Sequence, residues 1–352
     1  MQKKILKKYF DKLYWKDKTI LITGVNGFIG GNLSKKLLSM GSRVIGISNE
    51  DSKQKFLEYE DIDKKIVNYK LDLKSYNSIK YIVSQHEIDT CFHLAAQVDV
   101  NKAKIDPFST FESNVRGTYN LLEVLRKSGG IRSIIIASSD KAYGEYPEED
   151  LPYRENYSLK PIYPYDVSKA AADMISKSYA SDLFNLPVIT TRFSNIYGPG
   201  QLNFSALVPD CILANLDYKK FIPRGNGENL RDFLFVDDVV ELYLCLAYNL
   251  DKNKELKGEV FNAGTGSGYR VKDIIFKICQ LSKNKDLYKE IENNFINKKL
   301  TGEIENQFMT YDKLNEYFNW KPEYSIDEGL EITLDWYKGF FKKFSYKDFA
   351  DS

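Results

Sequence analysis

Tyr165 and Lys169 stand four residues apart in Tyr165-Asp166-Val167-Ser168-Lys169, a segment predicted to open a helix. Residues at that spacing share one helix face, which brings the lysine ammonium near the phenol. A neighbouring cation stabilises phenolate and lowers the tyrosine pKa toward working pH. A tyrosine so tuned can take a proton from a hydroxyl group. Upstream, Ser138 and Ser139 end a predicted strand, where a hydroxyl can hold the same oxygen. Asp140 and Lys141 follow at once, a carboxyl group beside an amine.

A second constellation lies near the N-terminus. Thr23-Gly24-Val25-Asn26-Gly27-Phe28-Ile29-Gly30 continues directly from a predicted strand and leads into a helix. Glycines in that setting allow a tight turn and let backbone N–H groups approach a pyrophosphate at the helix N-terminus. Gly24, Asn26, Gly27, Phe28, Ile29 and Gly30 are therefore assigned to a dinucleotide. The end of the second strand reports on the ribose, because an acid there accepts from the 2′-OH of NAD and a nearby arginine favours NADP. Ser48-Asn49 occupies that place with no arginine just after, which leans to NAD and leaves NADP open.

Such groups need a scaffold, and short apolar runs alternate with helix-period stretches through the first two thirds of the chain. Predicted strands are Thr19–Thr23, Arg43–Ile47, Ile66–Leu71, Thr90–Leu94, Ser133–Ser138 and Val188–Phe193, with a return strand near Gly258–Asn262. Helical segments are predicted at Gly30–Met40, Tyr76–Gln85, Ser113–Lys127 and Ser168–Leu183. Strands joined by helices of this length require βαβ crossovers and a parallel sheet covered on both faces. The expected fold is α/β, a doubly wound parallel Rossmann-type sheet with a smaller, discontinuous α/β substrate lobe. The sheet domain is assigned to residues 19–193 plus 232–262 and the lobe to 194–231 plus 263–352. Residues 1–18 read as a leader with a short amphipathic helix, Ile5, Tyr9 and Leu13 on one side.

Composition narrows the function classes. The 352 residues carry 50 Lys+Arg against 49 Asp+Glu, a net charge of +1, which argues against a nucleic-acid partner. Cys91, Cys211, Cys245 and Cys279 are far apart and only His86 and His93 accompany them, so no metal site is expected. Unpaired thiols suit a reducing, cytoplasmic setting. No apolar run approaches transmembrane length, so no membrane partner is expected either.

The blocks TGVNGFIG, HLAAQ, SNVRGTYNLLE, SSDKAYG, YPYDVSKAAAD, RFSNIYGPG and RDFLFVDD occur in the order seen in nucleotide-sugar epimerases and dehydratases. With its G-x-x-G-x-x-G turn, the chain resembles the extended short-chain dehydrogenase/reductases over roughly residues 15 to 340. The resemblance implies bound NAD, a nucleotide-diphosphate sugar as substrate, and catalysis by Ser139, Tyr165 and Lys169. It implies cofactor contacts from Asp72 and Leu73 after the third strand, from Leu94, Ala95 and Ala96, and from Asn114. Tyr165 and Lys169 would touch the cofactor as well. Ser139 and Asn195 would meet the substrate, Arg192 and Arg231 its diphosphate, and Arg224 is a further candidate there. Gln201 and Asn203 would read the edge of the base. A homodimer packing the Tyr165 helix and its predecessor into a four-helix bundle is implied too.

The pair after Ser139 bears on the reaction. It resembles that of CDP-glucose 4,6-dehydratases, as does Tyr14-Trp15-Lys16-Asp17-Lys18; dTDP-glucose 4,6-dehydratases have Asp-Glu there and 4-epimerases usually lack an acid-base pair. In a 4,6-dehydratase Asp140 would protonate the leaving C6 hydroxyl. Lys141 would act at C5, either as a neutral base or as a cation that steadies an enolate. A 4-epimerase, a C4 dehydrogenase or reductase on a GDP- or dTDP-linked sugar or heptose, and a non-catalytic dinucleotide sensor are the alternatives.

Overall fold

The computed structural model describes residues 12–49, 54–296 and 304–349. Seven strands form its main sheet: β1 (Thr19–Thr23), β2 (Arg43–Ser48), β3 (Val67–Lys70), β4 (Thr90–His93), β5 (Ser133–Ala137), β6 (Val188–Phe193) and β7 (Val260–Ala263). The order is β7-β6-β5-β4-β1-β2-β3, and every pairing is parallel. The strands are short, apolar and rich in β-branched residues, as suits a sheet buried on both faces. Alternation divides them between two cores. Ile20 and Ile22 pack with Leu33 and Leu37 of the Phe28–Ser39 helix and with the Val236–Lys252 helix. Leu21, Ile134 and Ile136 face the other way, against Ile79, Ile82, Leu121 and Leu125 of the Tyr76–Ser84 and Gly117–Ser128 helices.

The chain order reverses between β1 and β4. In doubly wound sheets, ligands bind beyond the carboxyl ends of strands at that reversal. The glycine turn leaves β1 there, His93 and Leu94 end β4, Ser138 and Ser139 leave β5, and Phe193 ends β6.

A third core belongs to the smaller lobe. Val208 and Ile212 of the Leu207–Asn215 helix pack with Ile274, Ile275 and Ile278 of the Val271–Leu281 helix and with Leu330 and Leu334 of the Ile326–Lys343 helix. Ser325 and Glu328 close a capping box at the start of the last of these, satisfying backbone donors at that end. Asn195–Tyr197 pairs in parallel with Phe233–Phe235, and Leu230–Arg231 pairs antiparallel with Tyr269–Arg270. Phe233 and Phe235 join the lobe core while Leu234 and Val236 join the sheet core, so the chain changes layer residue by residue there.

Two expectations are corrected, and a third falls mostly outside the described residues. The helix predicted at Ser168–Leu183 runs over Pro164–Ala180, begun four residues earlier by a proline at its first position, where no N–H is needed. The predicted Ser113–Lys127 helix is a π-helical turn, Glu112–Arg116, followed by Gly117–Ser128. At the leader, only Lys12–Trp15 is helical among the described residues, and Ile5 and Tyr9 lie outside them. Leu13 is 75% exposed, whereas Trp15 is fully buried in the sheet core and Tyr14 donates to Asp251 at 2.9 Å. Trp15 and Tyr14 thus pin the described part of the leader to the sheet domain.

Candidate active site

A cavity of about 510 Å³ opens between the ends of the sheet strands and the smaller lobe. Ser139, Asp140, Lys141, Tyr165 and Lys169 all line it. Beyond β5 the chain turns through a short 3₁₀ helix, Asp140–Tyr143, capped by Ser139. The Ser139 hydroxyl accepts from the Lys141 backbone N–H at 3.3 Å and donates to Asp140 Oδ1 at 2.9 Å. Asp140 is 3% exposed, and its Oδ2 is buried with no partner. Lys141 Nζ donates to Gln307 Oε1 at 2.8 Å.

Tyr165 and Lys169 are buried on the helix that starts at Pro164. Lys169 Nζ donates to the Ala137 carbonyl at 2.8 Å, and burial pulls its pKa down to about 8. The Tyr165 phenol is pushed well above its usual range by burial and by the Asp140 carboxylate, with the Ser139 hydroxyl acting the other way. The expected lowering of this phenol by Lys169 is therefore absent from the protein's own groups. Loss of water around the ring dominates, and the lysine is committed to the Ala137 carbonyl. Asn114 lies in the π-helical turn and is fully engaged with protein: it bonds the Gln97 backbone through both amide atoms, at 2.7 and 3.0 Å, and donates to Ser168 Oγ at 2.9 Å. Ser168 in turn donates to the Tyr165 carbonyl, so Asn114 braces the first turn of the Tyr165 helix.

The glycine turn is sterically committed to its path. A Cβ on Gly30 would lie 2.3 Å from the Gly24 carbonyl oxygen, and one on Gly24, which has φ of +75°, would lie 2.9 Å from the Ala95 nitrogen. Gly27 caps the Phe28–Ser39 helix without a side chain, which leaves the first helical N–H groups open to an anion. Ile29 and Leu94 reach the cavity wall. Leu94 and Ala95 donate their backbone N–H groups to Thr23 Oγ1, both at 3.2 Å, and Ala96 follows, half-buried. The same Thr23 hydroxyl meets His93 Nδ1 at 2.7 Å. Burial, with Lys169 nearby, pulls His93 down to about 3, so its imidazole is neutral and structural. Ser48 donates to Asn68 Oδ1 at 3.2 Å and Asn68 donates to Asn26 Oδ1 at 3.0 Å, a chain that ends on a buried, unpartnered Asn26 Nδ2. Asn49 is exposed beyond it. Asp72 is exposed, accepts from the Lys74 N–H at 2.9 Å and pairs with its ammonium, while Leu73 is buried.

On the lobe side, Asn195, Gln201, Asn203, Arg224 and Arg231 line the same cavity. Asn195 Nδ2 donates to the Asp232 carbonyl at 3.1 Å. Asn203 accepts from Ser205, and Arg224 donates to the Ser205 carbonyl at 2.9 Å. Arg231 donates to the carbonyls of Leu230, Glu305 and Ile304 at 2.7–2.8 Å, so its fork ties the lobe backbone together. Arg192 departs from the diphosphate expectation outright. It is buried outside the cavity lining, paired with Asp173 at 2.7 and 3.1 Å and stacked over Tyr143. A charge buried near the carboxyl end of an interior strand needs a partner, and Asp173 on the neighbouring helix supplies it.

Three residues with no assigned role enter the picture. Asp166 lines the cavity beside Lys141 and Asp140, Gln307 holds the Lys141 ammonium, and Asn68 joins Ser48 to Asn26. Asp166 stood inside the Tyr-Lys motif and was legible as an acid in a first helical turn. No local pattern marks Gln307, which is 166 positions from its partner. No group of three or more metal-ligating side chains occurs among the described residues.

A family model described as GDP-mannose 4,6 dehydratase matches residues 21–333, most of the chain. The chain belongs to the extended short-chain dehydrogenase/reductase family of nucleotide-sugar epimerases and dehydratases. Within this family it is 32% identical over 332 residues to a trifunctional UDP-glucose 4,6-dehydratase/3,5-epimerase/reductase of Arabidopsis thaliana, covering 93% of this chain and 48% of that protein. The chain thus spans about half the length of the plant relatives it matches. Among solved structures it is similar to UDP-glucose 4-epimerase of Thermotoga maritima with UDP-glucose, at a TM-score of 0.80 and 28% identity over 91% of this chain and 99% of that one. It is also similar to dTDP-glucose 4,6-dehydratase of Bacillus anthracis in complex with NAD, at a TM-score of 0.77 and 27% identity over 92% and 97%. The epimerase/dehydratase fold and the family are therefore settled, and both reaction types stand among the relatives.

Proposed function

We propose that the protein is a nucleotide-sugar 4,6-dehydratase, converting an NDP-hexose, with a CDP-hexose as the preferred substrate, to the NDP-4-keto-6-deoxyhexose. The observation that carries the reading is that Asp140 and Lys141 share one cavity with Tyr165 and Lys169. A 4-epimerase needs only hydroxyl deprotonation and hydride transfer, whereas removal of water from C5 and C6 needs further acid-base groups. The CDP preference rests on the likeness of the Asp-Lys pair.

The glycine turn, which has no room for a Cβ, and the exposed N–H groups of the Phe28–Ser39 helix fit a dinucleotide. Ser48, Asn49 and Asn68 bring no positive charge for a 2′-phosphate, which favours NAD over NADP. Bound NAD supplies a hydride acceptor for C4 and a hydride donor for C6, with no net redox change. Ser139 holds the O4 hydroxyl and Tyr165 takes its proton. The nicotinamide's positive charge would favour phenolate, which burial alone opposes. Asp140, with Oδ1 engaged by Ser139, presents a proton from Oδ2 to the leaving C6 hydroxyl. Lys141, as the ammonium that Gln307 holds, stabilises negative charge developing on the sugar.

A homodimer through a four-helix bundle belongs to the same proposal. Met174, 65% exposed on the Pro164–Ala180 helix, and Tyr119, 38% exposed on the preceding one, support it as apolar residues needing cover. Buried cysteines that form no disulfide among the described residues agree with work in the cytoplasm, and no helix among those residues is long and apolar enough to cross a membrane.

The test is incubation with CDP-, dTDP-, UDP- and GDP-hexoses, followed by mass spectrometry. Loss of one water with the cofactor unchanged is the expected result. The likeness to UDP-glucose 4-epimerase favours a second reading, which an isomerised product of unchanged mass would establish instead.

A further inference from the structure

A 4,6-dehydratase must remove the proton at C5, and the position where a carboxylate base is usual holds Lys141. The Lys141 ammonium donates to Gln307 Oε1 at 2.8 Å, and an ammonium has no lone pair with which to accept a proton. A carboxylate lines the same cavity within reach of its charge. Asp166 follows Tyr165 in the first turn of the Pro164–Ala180 helix, is 3% exposed, and lines the cavity with Tyr165, Asp140 and Lys141. The influences on its carboxyl are burial, then the charges of Lys141, Asp140 and Lys104, with no hydrogen-bond donor among them. Buried carboxylates are normally satisfied by donors, as Asp173 on the same helix is by Arg192. Asp166 has no such donor among the influences on it, and it lines the cavity.

We propose that Asp166 is the base that takes the C5 proton of the 4-keto sugar and later returns it, with the Lys141 ammonium stabilising the enolate in between. The inference rests on the dehydratase reading. Its steps balance. The C5–H bond breaks, the proton goes to the Asp166 carboxylate, and the electron pair is held as an enolate on the C4 oxygen. As the enolate collapses, a C5–C6 double bond forms and the C6–O bond breaks. Asp140 gives the proton that turns the departing hydroxide into water. C6 then accepts a hydride from the reduced nicotinamide, and C5 recovers its proton from Asp166. Burial holds the Asp166 carboxyl above the usual carboxylate range, at about 6, close to working pH. Lys141, Asp140 and Lys104 are the charged groups that face it, and the two lysines keep it from rising further.

The experiment uses the full-length, cofactor-loaded enzyme in D₂O with the NDP-hexose it dehydrates, comparing wild type with Asp166→Asn and Asp166→Ser. Wild type is expected to place deuterium at C5, because the proton held on Asp166 exchanges with solvent before C5 is reprotonated. In both variants water loss and C5 deuteration should fall together by about a hundredfold or more, while single-turnover reduction of bound NAD stays within about threefold. Undiminished water loss in Asp166→Asn, or equal loss of C4 oxidation and water release, overturns the assignment. Should both variants unfold, wild type decides: an acid limb near pH 6 in C5 exchange supports it, and a flat profile overturns it. Wild-type turnover with no water loss sinks the dehydratase reading and this inference together, whereas water loss that ignores Asp166 sinks the inference alone.

Discussion

The ammonium of Lys141 donates to the side-chain carbonyl of Gln307 at 2.8 Å, joining the 3₁₀ turn after β5 to a residue 166 positions later. Gln307 is fully buried and held through its backbone, donating to Leu230 and accepting from Asp232. A neutral carbonyl orients the ammonium and leaves its positive field intact. Gln307→Glu would cancel that field at the developing enolate. We expect kcat to drop by about a hundredfold, with KM changed by less than about threefold. Gln307→Ala, which leaves the charge and loosens its position, should cost less. Steady-state kinetics of the two variants checks this, and equal losses would count against an electrostatic role.

Asp140→Asn keeps the shape of a buried group whose Oδ1 accepts from Ser139 at 2.9 Å, but it removes the transferable proton. Water elimination should slow by about 10²–10⁴-fold. Reduction of bound NAD in a single turnover should change by less than about tenfold. Stopped-flow absorbance and product mass spectrometry separate the two steps, and parallel losses would refute the acid role.

Lys169 carries a pH signature. Burial lowers it from 10.5 to about 8 in the folded protein. Between those values the unfolded chain holds a proton that the folded one has shed, so stability attributable to Lys169 rises with pH across that window. The rise is bounded by about 1.4 kcal/mol per pH unit. Below about pH 8 both states are charged and the contribution is flat. Urea unfolding of wild type and Lys169→Met at several pH values isolates the effect as their difference. Parallel stability curves would show that the lysine is not desolvated.

The outer face of the Tyr165 helix offers a test of assembly. Met174→Glu sets a charge on an apolar residue that is 65% exposed in the single chain. If this face is the dimer interface, light scattering should show a dimer in wild type and a shift toward monomer in the variant. Wild-type protein that is monomeric would end the bundle proposal.

Where the sequence was legible, the controlling contacts were close along the chain. Strand alternation and β-branched composition are local, and so is the glycine turn, in which Gly24 and Gly30 exclude each other's Cβ. The segment Ser139-Asp140-Lys141 needed only its place after a strand. The π-helical turn at Glu112–Arg116 escaped notice because its one-residue widening leaves the helical apolar pattern nearly unchanged.

By itself, then, the sequence determined the sheet order's raw material, the tight glycine turn and the family, since each follows from residues within a turn or a strand of one another. Tertiary structure alone decided which charges are free to act. Arg192 looked like a phosphate ligand until Asp173, on another element, neutralised it. Arg231 kept its place in the cavity wall but turned its fork to the carbonyls of Ile304 and Glu305. Lys141 acquired Gln307, and Asp166, silent inside the Tyr-Lys motif, took a place in the same cavity wall. Partners so distant in sequence leave no periodicity to read, and in a low-dielectric interior the partner decides whether a charge is structural or reactive.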